Sequence, residues 1–297
     1  MANRRSAKSD FKSSMLPKNR REEFFFLVKM NYRQLVYLGI ILLLFLLPVI
    51  VTYSLKNIHL GILQNTYINE YSSAEEGANA EYLSSYISIS SLYLWVTFIF
   101  IIPVFVSLGG IFRVLRQLIW FEPVFFKDDF IKGIKDNWKA TLLAGIISSL
   151  GYVFSSYALI LPGLSQYIIY LPYAALLVVI LPICLLIIEQ SIIYQESNFK
   201  FFTNSLILYF KNLLFMLLFS FLCYLPFVLI YVGEIIGGFS YIAFNVVFMA
   251  LTIFATPLLF LAHLLNSFRA FDVSINRSNY PQLVGKGLFV GGSDDEL

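Results

Sequence analysis

Two sets of residues in this chain could do chemistry: a few ionisable or amide side chains set inside long apolar runs, and the prolines that interrupt those runs. Glu189 and Gln190 close one run, His263 and Asn266 close another, and Asn245 stands early in the latter. A polar side chain surrounded by hydrocarbon is costly, so it either finds a partner or serves a function. If the two runs meet, Glu189 and His263 come close at one membrane boundary. The plainer alternative has Glu189 reaching the headgroups and His263 bonding a backbone carbonyl. Pro103, Pro182 and Pro257 each lack a backbone donor and crowd the carbonyl four residues earlier, so three kinks and three freed carbonyls are expected at similar depth. Such carbonyls can coordinate a polar solute where they face a cavity, or mark a bent but closed bundle.

Other chemistry lacks its residues. The two histidines, His59 and His263, are too few and too far apart for a zinc-type cluster. Cys184 and Cys223 lie within apolar runs, which makes them buried, inert thiols rather than a disulfide. There is no glycine-rich phosphate loop, no GxSxG and no paired acidic motif within a run. The expectation is a chain that is not an enzyme and takes no cofactor and no metal.

The elements that must position these residues follow from composition. Hydrophobic residues make up 59% of the 297 and charged residues only 13%, too much oil for a soluble fold to hide. Six runs, Gln34 to Leu55, Ser88 to Phe112, Ala140 to Leu161, Ile168 to Ile188, Asn212 to Val232 and Phe239 to Leu265, are each long enough to cross a bilayer as a helix. Taken as crossings, they put 20 of the 21 lysines and arginines on one side and leave only Lys56 on the other. Cytoplasmic segments attract Lys and Arg, so both termini are expected inside. A shift of one crossing would reverse the bias. The fold class is all-α and polytopic: a basic arm over residues 1–23, a six-helix bundle over 34–265 and a cytoplasmic tail over 266–297. No cleavable signal peptide is expected, and the charge pattern implies a lipid bilayer, not nucleic acid, as partner. The outside segment from Lys56 to Ile87, with Glu70, Glu75, Glu76 and Glu81, reads as a solvated acidic cap or an extracellular surface.

Each odd-numbered crossing opens on an aromatic followed by a base: Tyr32-Arg33, Trp138-Lys139 and Phe210-Lys211. Nine residues before each base stand Phe24, Phe130 and Phe202, and five before stand Val28, Ile134 and Leu206. Residues four apart share a helix face, so three hairpins, each with an amphipathic lead-in helix at the basic end, is the simplest reading. In one of them Phe126, Phe130, Ile134 and Trp138 share a face, opposite Lys127, Asp128, Lys132, Lys135 and Asp136. A helix so divided settles at the headgroup boundary, as an elbow fixing helix tilt or as a docking surface for a partner.

The run Leu16-Pro17-Lys18-Asn19-Arg20 with Phe24-Phe25-Phe26, then Gly109-Gly110-Ile111-Phe112-Arg113, Leu118-Ile119-Trp120-Phe121-Glu122, Asp129-Phe130 and Gly133 to Lys139, resembles the YesL-like family of bacterial multi-span membrane proteins. The resemblance is best over the first 150 residues. It implies an accessory role beside carbohydrate uptake, and it carries over no catalytic residue. Two functions are therefore expected: a non-enzymatic accessory component that binds a partner such as a sugar importer through its lead-in helices or, as the alternative, a small-solute transporter or channel with its path between the kinked helices.

Overall fold

The computed structural model describes residues 17–70, 76–160, 165–223 and 241–288, which form an all-α polytopic membrane protein with no strand among them. Helix α1 (Arg20–Glu70) runs 51 residues and α2 (Glu76–Ile119) 44. At about 1.5 Å per residue both are far longer than a hydrocarbon core of roughly 30 Å. The surplus extends the first hairpin past the bilayer, so the segment read as an outside cap is helical over most of its length. No proline interrupts it, and aromatic contacts zip its two sides: Tyr67 and Tyr82 lie 4.8 Å apart between ring centres, and His59 Nδ1 is 3.0 Å from the Tyr93 hydroxyl.

Helix α3 (Phe126–Ile160) packs back on α2, and glycines set how closely. A Cβ on Gly133 would lie 2.7 Å from the Gly109 carbonyl oxygen and 2.8 Å from the Gly110 Cα, and one on Gly110 would strike the Phe130 ring. Thus Gly109, Gly110, Phe130 and Gly133, part of the pattern behind the family resemblance, form one helix crossing. Phe126 and Phe130 are drawn into this packing, while Ile134 is half-buried and Trp138 and Lys139 remain exposed.

Helix α4 (Gln166–Ala175), a π-helical turn (Leu176–Ile180) and α5 (Leu181–Ile193) make the next crossing. From Pro182 to Ile192 every residue of α5 is buried, which makes it the central helix. Helix α6 (Asn198–Lys211) meets α7 (Leu213–Cys223) at a 105° bend. Helices α8 (Tyr241–Phe254) and α9 (Thr256–Phe271) break at Ala255, inside what the sequence shows as one run. Among the described residues five helices are long and apolar enough to cross a membrane, or six if the bent pair α6 and α7 is one span. Arg20 touches Asp272 and the Lys286 carbonyl, so the described course begins and ends at one end of the bundle, as an even number of crossings requires. The second half of the fifth expected span and the turn after it, with Gly233, Glu234 and Gly237, lie outside the described residues.

The three lead-in junctions differ. Asn31 (φ −122°, ψ 22°) kinks α1 just before Tyr32-Arg33, and Asn212 (φ −120°, ψ 32°) breaks the chain just after Phe210-Lys211. The same backbone conformation thus appears three residues apart relative to the base. Asn137, before Trp138-Lys139, stays helical and donates from Nδ2 to the Gly133 carbonyl at 2.9 Å. The three prolines also diverge. Helix α2 runs through Pro103 without a break; Pro182 follows the π-helical turn; Pro257 sits in the first turn of α9, after the break.

Candidate functional site

Glu189 leaves the central helix α5 one turn before its end, where α7 and α9 face it. His263 Nδ1 lies 2.7 Å from Glu189 Oε1, and His263 Nε2 lies 2.9 Å from Ser220 Oγ on α7. Glu189 and His263 are completely buried and Ser220 nearly so. The line therefore joins three helices through side chains alone, with Glu189 neither at the headgroups nor His263 on a backbone carbonyl. Gln190, the next residue, donates from Nε2 to Ser205 Oγ of α6 at 2.6 Å and to the Leu186 carbonyl at 3.3 Å. One oxygen of each, Glu189 Oε2 and Gln190 Oε1, has no partner among the described residues. Cys223, one turn beyond Ser220, turns its thiol to the Leu259 carbonyl at 3.6 Å.

Serine, histidine and carboxylate stand here in the order of a hydrolase relay. An acyl transfer also needs an exposed nucleophile and two free donors for the oxyanion. Ser220 is buried inside α7, where backbone N–H groups are spent on the helix, so the line can hold and pass a proton but presents no attack geometry. With an ionised carboxylate and neutral imidazole, Nδ1–H donates to Glu189 and Ser220 donates to Nε2. With imidazolium, both ring nitrogens donate and Ser220 turns to accept. The heavy-atom positions serve either state, which is what a proton-responsive element needs.

Two of the three freed carbonyls are taken up by the protein. Val178, four residues before Pro182, accepts from the Tyr209 hydroxyl of α6. Ile253, four before Pro257, points its carbonyl at Gly39 of α1, where a side chain would collide with it.

A second polar centre occupies the basic end. Arg20 donates to Glu23 at 2.8 Å, to the Lys286 carbonyl at 3.1 Å and to Asp272 at 3.2 Å. Asp272 also accepts from Asn276 at 2.8 Å and from the Gly285 amide at 3.2 Å. Lys286 pairs with Glu122 at 3.0 Å and stands 3.8 Å over the Trp120 ring, which Arg116 covers at 4.7 Å. Gly287, at φ +92°, lets the chain lie against Glu23 and the Ile119 carbonyl, where a Cβ would meet Glu23 Oε1 at 2.6 Å. Residues 272–288, part of the expected cytoplasmic tail, fold back and pack against this end. Burial pushes the Glu23 carboxyl up to about 7, with Arg20 opposing the rise.

Of the residues singled out by sequence, Glu189 and His263 meet. Tyr32, Arg33, Trp138, Lys139, Phe210 and Lys211 are exposed and are not gathered into one site. Asn245 lies on α8, and its side chain is outside the described set. Ser220, Ser205 and Tyr209 carry no sequence signal that separates them from other small or aromatic residues in apolar helices. No group of three or more metal-ligating side chains occurs among the described residues. No family model, curated protein or solved structure matches the chain.

Proposed function

We propose that this chain is a small-solute transporter or channel, not an enzyme, of the bacterial plasma membrane, with its basic end and both termini in the cytoplasm. Its gate is the Ser220–His263–Glu189 line. The observation that carries the reading is a completely buried carboxylate and imidazole at 2.7 Å inside apolar spans, a placement that is rare without a role in moving protons or solute. The line ties α7 and α9 to the central helix, so a change of protonation there alters how three spans are held. The test is flux through proteoliposomes containing the purified chain, read with an entrapped pH indicator and with a panel of radiolabelled sugars. Flux should appear with the wild type and fall to the empty-vesicle level with Glu189→Gln or His263→Gln. Wild-type vesicles no different from empty ones, or flux that survives both substitutions, would sink the proposal.

The sequence resemblance supports a second reading, an accessory component of a carbohydrate importer, and one structural observation favours it. Helix α6 buries Phe201, Ser205 and Leu208 and still presents Phe199, Phe202, Ile207 and Phe210 outward, a second apolar face wider than an elbow requires. Stoichiometric co-purification of a transporter subunit in mild detergent, lost on Phe199→Ser with Phe210→Ser, is its expected outcome.

A further inference from the structure

Below the buried line, toward the basic end, α7 and α9 part to leave a crevice of about 170 Å³. The bend residue Asn212 and Met216 of α7 line one side of it, and Asn266 and Arg269 of α9, with Val273 in the π-helical turn that follows (Asp272–Asn276), line the other. Met216 and Asn266 close its inner end, with Nδ2 3.7 Å from Sδ, one turn short of Ser220 and His263. The lining thus carries one guanidinium and two amides and no carboxylate. Arg269 has no acidic partner among the described residues and stands 5.8 Å over the Phe215 ring, while the nearest acid in sequence, Asp272, is held by Arg20. Asn212 spends one amide hydrogen on the Leu208 carbonyl at 3.1 Å, which leaves a second. Lys211 adds another positive charge beside the mouth.

We propose that this crevice binds the headgroup of an anionic phospholipid from the leaflet at the basic end. Arg269 would hold the phosphate, and the Asn212 and Asn266 amides would bond its ester oxygens and headgroup hydroxyls. The occupant is a lipid rather than a free anion because the mouth opens onto an apolar surface of α7. Phe215, which lines the crevice, is 55% exposed, and Leu214 and Leu218 beside it are 79% and 53% exposed. An acyl chain lies along that surface at no desolvation cost, whereas a soluble anion gains nothing from it. The site is independent of whether anything crosses the membrane.

The full chain in a neutral detergent is titrated with dioctanoyl phosphatidylglycerol, with dioctanoyl phosphatidylcholine and with glycerol 1-phosphate, and thermal unfolding is followed. The phosphatidylglycerol is expected to raise the unfolding temperature saturably, the phosphatidylcholine to act much more weakly and glycerol 1-phosphate not at all. Arg269→Gln should shift the phosphatidylglycerol midpoint by about tenfold, the loss expected for one charged hydrogen-bond partner; Arg269→Lys should keep part of the response, and Asn212→Leu should weaken it independently. Equal responses to the two lipids, an unshifted midpoint in both Arg269→Gln and Asn212→Leu, or glycerol 1-phosphate matching the lipid would each overturn the assignment.

Discussion

The two polar centres solve the same problem, charge at low exposure, in opposite ways. At the basic end most groups have several partners: Arg20 has three acceptors, Asp272 three donors, and Lys286 both a carboxylate and a ring, while Glu23 has Arg20 alone. Loss of one contact leaves the others in place. In the spans Glu189, His263 and Ser220 form a single file, and the second oxygen of Glu189 has no partner among the described residues. The redundant centre is built as a clasp, the single file as the proposed switch.

The contrast breaks most sharply at His263. Its replacement by Ala leaves Glu189 buried without its partner, a loss of roughly 3–5 kcal/mol. Glu189→Met with His263→Leu removes both groups while keeping volume, and should recover most of that loss. Thermal unfolding of the wild type and these two variants in detergent decides it. If the double variant is as unstable as the single one, the pair is not the unit described here. Removing Lys286, by contrast, should cost about 1 kcal/mol or less, because Arg116 still covers Trp120 and lies 3.6 Å from Glu122.

Glu23 sharpens the comparison from the other side, since it is the one buried acid of the clasp and precedes the Asn31 kink, outside the span. Its carboxyl ionises near 7 when folded, against an ordinary 4.5. Below pH 4.5 it is protonated in both states and affects nothing. Between 4.5 and about 7 the unfolded chain loses the proton first, so stability falls as pH rises, and the full deficit, roughly 3 kcal/mol, is present above 7. Glu23→Gln should flatten that part of the pH–stability curve. An unchanged slope between pH 5 and 8 would show that Glu23 does not titrate there.

How much of this could be read beforehand depends on range. Long apolar runs declare helices, and polar residues inside them announce themselves, so Glu189 and His263 could be paired on the condition that their helices meet. Local motifs said less than they promised. Three Asn-bearing aromatic–base junctions give a kink at Asn31, none at Asn137 and a 105° bend at Asn212, and at Asn137 the glycine crossing with α2 packs directly against the junction. The fold-back of residues 272–288 depends on Arg20, some 250 positions away, and on the positive φ of Gly285 and Gly287. No short-range pattern encodes such a pairing. Ser220 is invisible for the same reason: a serine in an apolar helix means nothing until its neighbour is known.

A smaller link joins α6 to the central helix, and its expected effect is smaller than those at His263 and Glu23. Pro182 has no N–H for the Val178 carbonyl, and the Tyr209 hydroxyl supplies the missing donor from α6. Ser205, one turn earlier on α6, holds Gln190 beside Glu189. The bent helix therefore grips the central one at two heights. Tyr209→Phe leaves a buried carbonyl without a donor, worth about 1–2 kcal/mol. In a Pro182→Ala background the restored backbone N–H can serve Val178, so the same substitution should cost less there, and the two changes should couple by more than about 0.5 kcal/mol. Strict additivity in that cycle would mean that tyrosine and proline act independently, and the grip of α6 on the central helix would then rest on Ser205 alone.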